Sequence, residues 1–190
     1  FLYGASNLGS MIVLLGFPLL AEPLFGADAI GFGWAIGFVV LGAFLALSAL
    51  TIKPGDALPA PRNAEPTAPL GWGRLCLWLL LAFVPSSLML AVTTKISTDM
   101  GAIPLIWVIP LALYLGSFVI SFSGRYRLPA GVMSVLTKAA ILYSIYMFSA
   151  FGFEHTRLWQ ALLLFAAFAV IAVQTHRQLY DSRPEASQLT

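Results

Sequence analysis

Charge is what this sequence has least of: Asp, Glu, Lys and Arg make up 9% of its 190 residues, against roughly 25% in an ordinary soluble domain. A chain so poor in charge cannot clothe a water-facing surface, which excludes an ordinary soluble globular protein. Cysteine and histidine are nearly missing as well. Cys76, His155 and His176 are too few to build a disulfide framework, a four-ligand zinc site or an iron–sulfur cluster from this chain alone, and no cofactor is expected. The redox compartment stays open. Ten Lys/Arg against eight Asp/Glu leave a formal charge of +2, and the basic residues are spread over loops, which argues against a nucleic-acid surface. There is no glycine-rich phosphate loop after a strand. Neither histidine stands at a motif spacing from a carboxylate and a nucleophile, so catalysis is not expected of these residues.

What the sequence does have is apolar surface: 59% of residues are hydrophobic and the mean hydropathy is +0.89. A helix needs about 20 apolar residues to cross the hydrocarbon core, and six stretches qualify: residues 1–20, 30–50, 75–94, 103–122, 130–148 and 158–173. The expected class is therefore all-α, a polytopic helical bundle in a lipid bilayer. The last two stretches are the shortest, and Lys138 interrupts the fifth. Residues 1–50 read as a transmembrane helical hairpin turning at Glu22-Pro23 to Asp28. Residues 51–74 carry Pro54, Pro59, Pro61, Pro66 and Pro69 among small and charged residues and read as a linker unable to bury a core. Residues 75–175 read as a four-helix group and 176–190 as a tail. The chain opens on Phe1-Leu2-Tyr3 without an initiator Met or a leader segment, and is expected to be a section of a longer protein.

Orientation follows from counting Lys and Arg in short loops. Lys53, Arg62, Arg74, Arg125, Arg127, Arg177 and Arg183 fall on the side that carries both termini, whereas the other side has Lys95 and Arg157. Seven against two places both termini in the cytoplasm. Trp72, Tyr126, Trp159 and Tyr180 lie near span ends, where amphipathic rings favour the headgroup region.

Several residues stand out against this apolar background. Lys138 lies within a span, at a cost on the order of 3 kcal/mol on insertion scales. It either faces a polar cavity or snorkels to the nearby cytoplasmic interface. Thr93, Thr94, Lys95, Thr98 and Asp99 end the third span with hydroxyls and an i,i+4 ion pair; they read either as a polar vestibule or as a solvated helix end with a weak pair. Pro85, followed by Ser86 and Ser87, removes a backbone hydrogen bond and is expected to kink the third span, the serines satisfying the freed carbonyls. Pro110 is expected to bend the fourth span, while Pro104 suits a first helical turn. Such breaks occur at transporter binding sites and also in bundles for packing alone. Gly33 and Gly37 form a GxxxG pair, and Ala5 with Gly9 a small-xxx-small pair, so the first two helices are expected to approach closely. Ser6 and Asn7 are polar in an apolar setting there.

Three stretches together carry a resemblance. Phe1-Leu2-Tyr3-Gly4-Ala5-Ser6-Asn7-Leu8-Gly9-Ser10 is the first. The second runs from Val84-Pro85-Ser86-Ser87-Leu88 through Thr93–Asp99 to Pro104–Tyr114, and the third is His176–Leu179 with Arg183-Pro184 and Leu189-Thr190. They resemble bacterial fused membrane proteins of the major-facilitator-like/spermidine-synthase-like family. In that family a multi-span membrane region precedes a soluble region similar to spermidine synthase, with an aminopropyltransferase or methyltransferase type of fold. The resemblance thus implies a membrane portion with no active-site residue of its own, in the bacterial inner membrane. Any polyamine-related chemistry would lie beyond Thr190, and a cytoplasmic tail would place such a domain beside its nucleotide-type substrates. The expected function is a non-catalytic transporter-like or membrane-anchoring domain. The alternative is an accessory transmembrane subunit packed against a larger membrane protein complex.

Overall fold

The computed structural model describes residues 2–51, 71–101, 104–123, 128–149 and 156–183, and every regular element among them is helical. The linker prolines, Lys53, Arg62, Arg125, Tyr126, Arg127, His155 and the segment 184–190 lie outside the described residues. Helix α1 (Leu2–Gly16) continues through a π-helical turn at Phe17–Ala21 and a last α-turn at Glu22–Leu24. The turn widens where Pro18 offers no N–H to the ladder. Then come α2 (Ala27–Thr51), α3 (Trp72–Met100), α4 (Pro104–Ser123), α5 (Ala130–Phe148) and α6 (Leu158–Asp181). Among the described residues six helices are long and apolar enough to cross a membrane, as expected where every backbone N–H and C=O must be satisfied within its own segment.

The described residues fall into two units, one made of those within 1–15 and 70–183 and the other of those within 16–69. Helix α1 falls with the later helices in the first unit, and α2 in the second. Within the first unit, Met11 Sδ of α1 lies 3.7 Å from where a Cβ at Gly116 of α4 would stand. Within the second unit, α2 has no buried residue. Phe32, Trp34, Phe38, Val39, Phe44 and Leu50 are all exposed. A helix apolar on every side and buried on none matches a segment whose solvent is hydrocarbon.

In the first unit α6 is the central helix, packed against α3, α4 and α5, while α3 also packs on α4. Its sequence shows why. Leu164, Phe168, Ala172 and His176 recur every fourth residue, so they stand on one face, and each is fully buried. Around Phe168 the core takes in Val92 and Ile96 of α3 and Met147 of α5. Helix α5 presents Met133, Ala140, Ser144 and Met147 as its buried seam, with Ala140 meeting Ala167 and Ile171. The last helix therefore runs past the expected end at Val173 through Asp181, so His176 belongs to the bundle and not to a tail.

Hydrogen bonds fix the helix ends. Trp78 Nε1 of α3 donates to the Ser182 carbonyl just past α6 (3.0 Å), and Ser121 Oγ of α4 donates to the Val173 carbonyl (3.2 Å). At the opposite end Thr156 donates to Asp99, and the Arg157 N–H is capped by Gln160 Oε1 (2.8 Å). Helix α3 stops at Gly101, whose φ of 97° belongs to a region that glycine enters without a Cβ penalty. At 29 residues, α3 is about 44 Å long by helical rise, which exceeds a hydrocarbon core of about 30 Å.

Candidate functional site

Helices α3 and α5 flank α6 without an extended contact of their own, and the space between them is a groove of about 880 Å³. Its walls come from Phe83 to Ala91 on α3 and Ala130 to Ile145 on α5, and its floor from Ile171 to Asp181 on α6. The volume falls within the roughly 300–1,000 Å³ of small-molecule sites. Because α5 and α6 run antiparallel, the start of α5 lies beside the end of α6. Ser134, Thr137 and Lys138 therefore share one end of the groove with Gln174, Arg177 and Gln178. Towards the middle the lining turns apolar, with Leu88, Ile141, Ile145 and Ile171.

Lys138 stands off the buried Met133/Ala140/Ser144/Met147 seam, and its side chain is exposed along the groove. Among the described residues it has no ion-pair partner. On the floor, Arg177 Nε lies 3.9 Å from Asp181 Oδ2, a long and partly solvated pair worth little in itself. Lys138, Arg177 and Asp181 together leave the groove with one net positive charge.

The other five polar candidates do not line this groove. Lys95 Nζ meets Asp99 Oδ2 at 3.0 Å, Asp99 also accepts from Thr156, and Thr93 Oγ1 donates back to the Met89 carbonyl (2.7 Å). Thr94 and Thr98 are exposed. The cluster ties the end of α3 to the start of α6. Thr93, Lys95 and Asp99 thus each have a local partner.

Pro85 and Pro110 are buried inside continuous helices. The carbonyl that Pro85 frees is that of Leu81, four residues back. Ser86 Oγ instead donates to the Ala82 carbonyl (2.8 Å), so the expected rescue of the freed carbonyl by this serine is not what is seen. Ser86 Oγ accepts in turn from Tyr114 Oη of α4 (3.1 Å), so the proline turn is bonded across to the neighbouring helix. Gly9 lines a crevice with Ser10, Val13 and Leu14 against Leu111 and Leu115 of α4. A Cβ added at Gly9, Gly33 or Gly37 would meet nothing within 4 Å.

Sequence reasoning missed a second buried polar seam. Ser117 Oγ donates to the Tyr114 carbonyl (2.6 Å) and lies 2.7 Å from His176 Nδ1. With the hydroxyl proton committed to that carbonyl, His176 donates through Nδ1–H, an assignment that follows from the network. Phe118 stacks on the imidazole at 3.7 Å between ring centroids, and Tyr114 meets it edge-on at 5.1 Å. The other nitrogen, Nε2, is buried without a partner among the described residues. The four-residue recurrence from Leu164 to His176 was the signal that would have placed this histidine inside. Gln160, also buried, is held by the Tyr143 hydroxyl donating to its carbonyl (3.0 Å).

Comparison with protein-family models, with curated proteins and with solved structures finds no match to this chain. The resemblance to fused facilitator/synthase proteins rests on the quoted residues alone.

Proposed function

We propose that this chain is a transporter-like or membrane-anchoring helical domain of the bacterial inner membrane, with both termini cytoplasmic, from a spermidine-synthase-like fusion protein. The observation that carries a ligand-holding rather than a catalytic role is the groove between α3 and α5. It is large enough for a small molecule, carries an exposed lysine without an ion-pair partner among the described residues, and grades from polar at one end to apolar at the middle. The polar residues at its end present amides, hydroxyls and cations, a set suited to holding a ligand. The proposed orientation rests on the Lys/Arg excess on one side, to which Arg74 and Arg183, beside the rings of Trp78 and Tyr180 at one end of the bundle, contribute.

The test is substituted-cysteine labelling in a Cys76→Ser background. Ser134→Cys and Lys138→Cys are expected to react in native membranes with a water-soluble, membrane-impermeant maleimide. Leu142→Cys, exposed at 68% but outside the groove, is expected to stay unreactive in lipid. A Lys138→Cys chain as inert as Leu142→Cys would remove the groove as a ligand site.

A second reading is favoured by one observation. Helix α2 buries none of its residues, and its glycine face at Gly33 and Gly37 is open. An accessory subunit packed against a larger complex would cover that face. Purification of the natural protein in mild detergent separates the two: a mass near 20.5 kDa with a stoichiometric larger partner supports the subunit reading, and a mass well above that with no such partner supports the domain reading.

A further inference from the structure

Building on the groove as a ligand site, we infer that its occupant is an anionic phospholipid, with the phosphate held between Lys138 and Arg177 and an acyl chain laid along Ile141 and Ile145. Three features of the groove select this chemistry. Its polar end carries two cations against one carboxylate, and the carboxylate of Asp181 lies 3.9 Å from Arg177 Nε, which leaves Lys138 as the charge without a counter-ion among the described residues. Basic pockets between helices at a headgroup level recognise phosphate in this way. The apolar part of the wall is open sideways: Ile145 is 61% and Phe83 65% exposed, so the groove is continuous with the lipid-facing surface. A wholly water-borne anion would gain nothing from that wall, whereas an acyl chain fills it. The gradient also has the direction a lipid needs. Lys138 and Arg177 lie towards the helix ends that carry Trp78, Tyr180 and Arg183, and Ile141 and Ile145 lie deeper along α5.

The full chain, purified in a neutral detergent, would be titrated with phosphatidylglycerol and with phosphatidylcholine of the same acyl chains, and retained lipid counted by native mass spectrometry. Wild type is expected to retain phosphatidylglycerol preferentially. Lys138→Gln with Arg177→Gln is expected to lower that retention by about tenfold or more, to the phosphatidylcholine level, since each cation near a headgroup contributes on the order of 1 kcal/mol. Lys138→Arg keeps the charge and should keep the lipid, which guards against a merely misfolded double variant. Arg74→Gln, a cation at the same end outside the groove, should change nothing. Equal retention of the two lipids by wild type, or unchanged retention by the double variant, would overturn the assignment. Displacement by soluble glycerol phosphate at similar concentration would show that a free phosphate, and not a lipid, is the ligand. Failure here with a reactive Lys138→Cys sinks the lipid alone; an inert Lys138→Cys sinks the groove itself.

Discussion

Replacing Phe168 by alanine tests whether α6 is the centre of the bundle. The ring is fully buried, packed in the cluster that joins Val92 and Ile96 of α3 to Met147 of α5. In a water-soluble core a Phe→Ala change costs about 3–5 kcal/mol, the sum of lost transfer energy and the cavity left behind. In a bilayer the transfer part largely vanishes, because the unfolded helix already keeps this side chain among acyl chains. What remains is the lost dispersion contact on the cavity wall, so about 2 kcal/mol is expected, roughly a 30-fold loss in the folding constant. Reversible unfolding in mixed micelles, followed by steric trapping or by denaturing-detergent titration, reads this directly. Leu162→Ala is the control on the same helix: Leu162 is 57% exposed and faces lipid, so it should change stability by less than about 0.5 kcal/mol. Equal effects of the two changes, or a larger one for Leu162→Ala, would refute the placement of α6.

Three other outcomes follow from the polar contacts. Asp99→Asn keeps an acceptor for Thr156 but removes the charge that Lys95 faces at 3.0 Å; a loss of about 1 kcal/mol is expected for a part-buried pair, and a double-mutant cycle with Lys95→Met should find the two coupled. Ser117→Ala strands His176 Nδ1–H in the bundle and should destabilise by about 0.6–1.7 kcal/mol, the range of interhelical hydrogen bonds in membranes, checked by the same unfolding titration. Gly116→Ala places its Cβ at an ordinary 3.7 Å from Met11 Sδ and should be tolerated, whereas Gly116→Leu should weaken the contact of α1 with α4, seen as loss of a cysteine crosslink between the two helices.

The helices were legible because hydropathy alone decides which segments lipid can solvate, and Ala27–Thr51 announces itself by being apolar throughout. Their packing was less so. The end of α6 was missed because Gln174, Thr175, His176, Arg177 and Gln178 depress the hydropathy after Val173. The helix continues there because its buried face, Ala172 to His176, persists while the polar residues turn to the groove. Lys138 was visible as a costly residue in an apolar run, but the floor residues that share its end of the groove, Gln174, Arg177 and Gln178, lie far along the chain, and no spacing rule connects α5 to α6. At Thr93–Asp99 the sequence left two readings, a polar vestibule or a helix end, because spacing shows the Lys95/Asp99 pair but not what meets it from another helix. The contact that the sequence did not show comes from Thr156, whose hydroxyl donates to Asp99 at the end of α3.

The most direct test of a six-span membrane domain is to map its loops in the living cell. Reporters that are active only in the cytoplasm or only outside it would be fused within residues 52–70, within 124–127 and after Thr190, and then within 25–27 and 150–155. The first three are expected on one side, the cytoplasmic one, and the last two on the other. A fusion within 124–127 that reports from the side opposite the 52–70 fusion would contradict the paired crossing of α3 and α4, and with it the bundle that builds the groove.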